Sequence, residues 1–173
     1  LDSLSELEPS VWYRRWFCLQ RLQGSYRGHE IVVERNTQRS SGRLKYVEVL
    51  RFACPYADVP RFEIHPVSPL SYYFQSFRSR LALTGDKPFD QAFILKAESP
   101  VFTVELLSAP IRERLIATFK DQRARGVIRF MEGELSYVET SMPWASSEVD
   151  RFEAMVQRLY EISLAVKVFT PED

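Results

Sequence analysis

The sequence predicts an α+β domain: an antiparallel β-meander in the N-terminal half, then a β-α-α-β-β-α unit whose helices pack on one face of the sheet. Three observations predict it. Residues Leu44 to Cys54 alternate in polarity, the period of a half-buried strand. Two helix starts follow one another at Ser99-Pro100 and Ser108-Ala109-Pro110, each a capping residue with proline just inside. Near the C-terminus a hairpin signal at Glu132-Gly133 precedes a long amphipathic run.

Taken in order, residues 1–10 are polar and acidic and read as a linker or tail. Residues 11–169 read as a single domain, with 11–83 and 84–169 as conceivable sub-halves. Trp12 to Leu22 is aromatic-rich with interleaved arginines and is read as a strand, with a helix as its rival because no Gly or Pro interrupts it. Gly24 to Gly28 is read as the turn, and His29 to Arg35 as a β-branched strand. Asn36 to Arg43 is polar and read as a loop. Leu44 to Cys54 and Arg61 to His65 complete a meander of about four strands, each ended by proline at Pro55 and Pro66. Residues 67–83 admit two readings, a helical turn behind Pro69 or an ordered aromatic loop.

Gly85 to Lys120 is the centre of the second half. Thr84 to Pro88 is read as a turn and Ala92 to Lys96 as a strand. The first helix runs from Pro100 to about Leu107. The second runs to Asp121, with Ile111, Leu115, Ile116 and Phe119 on its apolar face. Val127 to Thr140 is read as a hairpin whose Gly133 supplies the positive φ of a tight turn. Ser147 and Asp150 have the spacing of a capping box. The last helix, Glu148 to Val168, aligns Phe152, Met155, Val156, Leu159, Ile162 and Val166 in one stripe that should lie across the sheet.

Of the 173 residues, 45% are hydrophobic and 13% aromatic, enough for a core without a staple. The net charge is zero, which argues against a whole-protein field for nucleic acid or membrane. No apolar run is long enough for a membrane span, and no signal peptide is visible. The chain starts at Leu1, consistent with a piece of a larger protein. Cys18 and Cys54 are expected as buried free thiols of a reducing compartment, with a disulfide between neighbouring strands as the other reading.

The second half resembles a recurrent uncharacterised bacterial domain. The residues that carry the likeness are Thr84-Gly85-Asp86, Phe89-Asp90, Phe93, Leu106-Leu107, Arg112-x-Arg114-Leu115 and Glu132-Gly133, with Gly24-x-Tyr26-Arg27-Gly28 and Ile31-Val32-Val33 upstream. Such domains often follow membrane helices. The resemblance therefore implies the cytosolic, cytoplasmic-facing part of a membrane-linked protein, and it carries no chemistry and no catalytic residue.

No phosphate-cradling glycine motif, metal-ligand spacing or nucleophile elbow is present, so neither an enzyme nor a cofactor is expected. Asp86 is expected to bond its own turn, and Asp90 to face solvent or an arginine. His29 and His65 are read as structural; an enzyme would need one of them to meet carboxylates in a cleft. Arginine is the fullest signal, with 18 against 5 lysines. Between Pro9 and Arg43, seven arginines face two acids, Glu30 and Glu34. If Arg14, Arg15, Arg21, Arg27 and Arg35 share a face, they form an anion-binding patch among Trp12, Tyr13, Trp16 and Tyr26. Such a patch would take nucleic acid, phosphate or anionic lipid headgroups. The alternative is a solvated face whose arginines pair with glutamates. The leading expectation is an interaction or scaffolding domain with a protein partner, a mixed exposed surface and a free sheet edge.

Overall fold

The computed structural model describes residues 21–40, 43–54, 59–67, 81–141 and 148–169. Its strands are β1 (Arg21–Tyr26), β2 (His29–Ser40), β3 (Arg43–Ala53), β4 (Phe62–Pro66), β5 (Leu81–Ala82), β6 (Phe93–Ala97), β7 (Val127–Met131) and β8 (Glu134–Ser141). Its helices are α1 (Lys87–Ala92), α2 (Pro100–Leu106), α3 (Ala109–Asp121) and α4 (Glu148–Phe169). The fold is α+β, as the sequence pattern implies. The strands form one sheet in the order β1-β2-β3-β8-β7-β4-β6-β5, and every pairing is antiparallel.

That order corrects the four-strand meander. β1, β2 and β3 are consecutive neighbours, but the β7–β8 hairpin takes the place beside β3. β4 lies beyond that hairpin, between β7 and β6. One sheet thus interleaves strands from both halves of the chain. A meander is the default for successive strands joined by short links, yet local signals do not fix which strand a long-range partner displaces.

Register assigns the two faces, because directly paired residues point the same way. Ile31, Val33, Leu50, Phe52, Phe62, Ile64, Leu95, Ile128, Phe130, Leu135 and Tyr137 point to one face, and all are buried. Buried residues from the helices, among them Leu106, Leu115, Phe119, Met155, Leu159 and Ile162, join that same core. The predicted stripe of α4 is buried along its full length. Rings from five elements run through this core: Phe89 on α1, Phe93 on β6, Phe119 on α3, Tyr137 on β8 and Phe152 on α4. Successive centroids lie 4.9, 4.9, 6.3 and 6.1 Å apart, three of the four pairs edge-to-face.

Several local expectations are corrected. Asn36 to Arg43 is not a loop. The strands continue to Ser40 and resume at Arg43, with Asn36 opposite Val47 and Ser40 opposite Arg43. A polar run can extend a hairpin because backbone pairing does not require apolar side chains. The turn expected across Gly24 to Gly28 narrows to Arg27 and Gly28, whose φ values of 49° and 85° suit a two-residue hairpin turn. Gly24 is a strand residue opposite Ile31. The Trp12 to Leu22 strand and the reading of 67–83 fall mostly outside the described residues; Arg21 and Leu22 open β1, and Leu81–Ala82 pairs with β6.

The expected turn before β6 contains a helix, α1. Asp86 caps it by accepting from Phe89 N at 3.3 Å, and proline sits in its first turn. The starts of α2 and α3 lie where Ser-Pro and Ser-Ala-Pro place them, but neither Ser99 nor Ser108 makes a side-chain cap bond. Instead the Ser99 carbonyl accepts from Thr103 N at 3.1 Å and Thr103 Oγ1 at 2.9 Å. The pairing of Ser147 with Asp150 lies outside what is described. No described helix is long and apolar enough to cross a membrane.

Leu159 and Leu164 lie on one helix, the first fully buried and the second 42% exposed. We expect Leu159→Ala to cost about 2–5 kcal/mol by urea unfolding, and Leu164→Ala to stay within about 0.5 kcal/mol of wild type.

Candidate functional site

The helices cover one face of the sheet; the other carries two networks of cross-strand ion pairs. Among the described residues no helix lies on that face. Val32, Val47 and Val138 are half-buried there and Val49 is buried outside the main core. Two charged clusters lie on this face. In the first, Arg21 on β1 meets Glu34 on β2 at 3.5 Å, Glu34 meets Arg51 on β3 at 3.3 Å, and Arg51 meets Glu134 on β8 at 3.4 Å. Cross-strand register builds this row, since Arg21 is opposite Glu34 and Arg51 is near both acids.

The second cluster centres on Glu63 of β4. Its Oε1 lies 3.3 Å from Arg129 Nε on β7. Its Oε2 lies 2.6 Å from His65 Nε2 and 3.7 Å from Lys96 Nζ on β6. Glu63 is opposite both Lys96 and Arg129, and His65 is two residues along the same strand. Burial works to raise the Glu63 carboxyl, but His65, Arg129 and Lys96 outweigh it and hold it below the ordinary value. Burial lowers His65, and although Glu63 pulls the other way, Lys96 and Arg129 add to the lowering. His65 is the one of the two histidines found beside a carboxylate. His29 instead stacks on Phe52 at 4.9 Å, with Nδ1 3.5 Å from the Ala53 carbonyl.

The predicted arginines do not converge in the described structure. Arg14 and Arg15 lie outside the described residues. Arg21 faces the open side and pairs with Glu34. Arg27 sits on the β1–β2 turn, its guanidinium 5.5 and 5.1 Å from the Tyr26 and Tyr160 ring centroids. Arg35 points to the covered face, where Nε and Nη2 both donate to Glu48 Oε1. Alternation along β1 and β2 separates Arg21 from Arg35, a consequence of register that composition does not reveal.

Sequence reading missed a buried polar cluster beneath α4. Glu48 on β3 is opposite Glu139 on β8, and both are buried. Arg35 binds Glu48. Arg151, buried in the first turns of α4, lies with Nε 3.0 Å from Glu139 Oε2, and the Tyr137 hydroxyl donates to the same oxygen. Gly126 N–H donates to the Tyr137 oxygen at 3.1 Å. Burial raises Glu139, and Glu48 adds to it, while Tyr137, Arg151 and Arg125 oppose it. Burial also raises the Tyr137 phenol, with Glu139 adding to it. The missed signal was the pair of glutamates at inward positions of strands otherwise lined with Leu, Phe and Tyr.

Cys54 is buried and free, its thiol pushed up to about 12 by burial, so it is no thiolate nucleophile; Cys18 lies outside the described residues. Asp86 and Asp90 exchange part of their expected roles. Asp86 caps α1 and also takes Arg112 Nε at 3.1 Å. Asp90 holds the turn, accepting from Thr84 N, Thr84 Oγ1 and Gly85 N at 2.9 to 3.1 Å. Among the described residues no group of three or more His, Cys, Asp or Glu is placed to hold a metal.

The raised carboxyl of Glu139 fixes the sign of a pH effect. The native state keeps this proton at pH values where the unfolded chain, near 4.5, has lost it. Glu139's contribution to stability is therefore present at low pH and is lost as pH rises through its raised folded value. Urea titrations across this range should show Glu139→Gln lacking that decline while being less stable overall. Tyr137→Phe should cost about 1–3 kcal/mol, because both Glu139 and Gly126 N–H lose a partner.

No family model matches the sequence, and no curated protein matches it. Among solved structures, the chain is similar to the crystal structure of the mycobacterial trehalose monomycolate transport factor A, TtfA, with a TM-score of 0.54 and 9% identity over 88% of this chain and 74% of that one. At that identity the likeness is one of fold.

Proposed function

We propose that this chain is a non-enzymatic interaction domain, the cytosolic part of a membrane-linked bacterial protein, which meets a partner protein through the open face of its sheet. One observation carries the reading: the open face combines half-buried valines with a row of ion pairs from Arg21 to Glu134. Such a mixture of apolar area and fixed charge suits a protein surface, with the charges setting orientation and the valines supplying buried area. Two groups whose pKa values burial raises support it from the other side. Tyr137 and Glu139 are buried in the core, where Tyr137 donates to Glu139 and Glu139 meets Arg151 of α4.

The test is capture of partners from a bacterial lysate at low and moderate salt, by wild type and by an Arg21→Ala/Arg51→Ala double variant. Both arginines are substantially exposed, so the variant should keep its urea midpoint to within about 1 kcal/mol of stability. We expect a protein retained at moderate salt by wild type and reduced about tenfold or more by the variant. Undiminished capture by the variant would move the contact off this face. Capture of nucleic acid alone, lost at moderate salt, would favour anion binding instead.

A further inference from the structure

The cluster around Glu63 has more donors than acceptors. Lys96 and Arg129 bring two fixed positive charges to one carboxylate, and His65 brings a third donor. Among the described residues neither Lys96 nor Arg129 has a second carboxylate within ion-pair distance. Arg129 Nε is buried and, although near Glu63 Oε1, has no well-aligned acceptor. Glu63 Oε2 is already shared between His65 and Lys96. Water satisfies exposed donors, but a buried guanidinium nitrogen without an aligned acceptor is costly. The three basic side chains come from three adjacent strands, so the sheet fixes their spacing rather than long flexible loops.

We propose that Lys96, Arg129 and His65, arranged around Glu63 on the open sheet face, form a binding site for a phosphate group. The guanidinium offers a planar fork to two phosphate oxygens and the ammonium a point charge to a third. Glu63 serves as the resident counter-ion: it keeps the cations in place when the site is empty and competes with the ligand when it arrives. Lys96 and Arg129 against Glu63 leave an excess positive charge, which an incoming phosphate offsets. This site shares no residue with the Arg21-to-Glu134 row, so it stands or falls apart from the protein-partner reading. Free phosphate and a lipid phosphate headgroup share this chemistry and differ only in what the phosphate is attached to.

The experiment is an NMR titration of the folded chain with inorganic phosphate at constant ionic strength. It reads the backbone amides of residues 63–65, 94–96 and 128–130 and the His65 ring. We expect saturable shifts confined to these positions, weakened about tenfold in Lys96→Gln or Arg129→Gln. Glu63→Gln distinguishes a ligand site from a merely structural ion cluster: with the competing carboxylate gone, phosphate should bind about tenfold more tightly. Far-UV circular dichroism and urea midpoints confirm that each variant is folded. A second arm uses vesicles of phosphatidylcholine with and without phosphatidic acid. Retention only on the phosphatidic acid vesicles, lost in Arg129→Gln, places the phosphate on a lipid. Linear, uniform shifts with no vesicle retention, or binding unchanged in both Lys96→Gln and Arg129→Gln, would overturn the proposal.

Discussion

The pairing of β3 with β8 holds the rest of the structure together. It runs from Tyr46 opposite Ser141 to Ala53 opposite Glu134, and it joins two hairpins that are far apart in the chain. Without it the sheet would split into a β1–β2–β3 part and a β8–β7–β4–β6–β5 part, each with a newly unpaired edge. The ladder also places Leu50 and Phe52 beside Tyr137 and Leu135, and α4 lies across this junction. The first turns of α4 bring Arg151 onto Glu139, so helix and ladder meet in one buried ionic contact. Closure of such a distant pair costs loop entropy before any burial offsets it.

Putting charge at that junction has a physical consequence for register. Glu48 and Glu139 face inward among apolar neighbours, each with its own arginine. A slip of one residue along β3 would turn Glu48 outward and bring Val47 and Val49 inward in place of Leu50 and Phe52. It would also part the half-buried Arg35 from Glu48, a penalty that apolar residues alone would not impose. The buried pairs thus add little net stability over an apolar core of the same shape, but they make the wrong register worse than the right one.

The amount legible in the sequence follows from the range of each signal. α3, α4 and the β7–β8 hairpin were legible because their determinants lie within a turn or two: Ser-Ala-Pro before Ile111, the stripe from Phe152 to Val166, and Gly133 with φ of 75°. α1 was not, because six residues after Asp86 hold only one buried side chain, Phe89, and so show no helical period. The extension of β2 to Ser40 was hidden by polar side chains that say nothing of backbone pairing. Of the sites, the arginines were visible in composition, but their separation onto a turn and two faces depends on parity along β1 and β2. The Glu63 cluster was invisible, since Glu63, Lys96 and Arg129 are brought together only by β4 pairing with both β6 and β7.

The two faces of the sheet use opposite charges in different ways, and the difference bears on function. On the covered face Glu48 and Glu139 are buried, each beside an arginine, and Glu139 is held by Arg151 of α4 itself. On the open face Arg51 is shared between Glu34 and Glu134, and Glu63 is shared among three basic groups, all of them partly solvated. Shared, solvated pairs are individually weak and can be rearranged at little cost. A partner or an anion that supplies a better acceptor therefore has only to displace a carboxylate that is already divided. The same sequence alternation that buries one glutamate firmly leaves the next charge on the strand free to exchange, and it is on that second set that recognition can act.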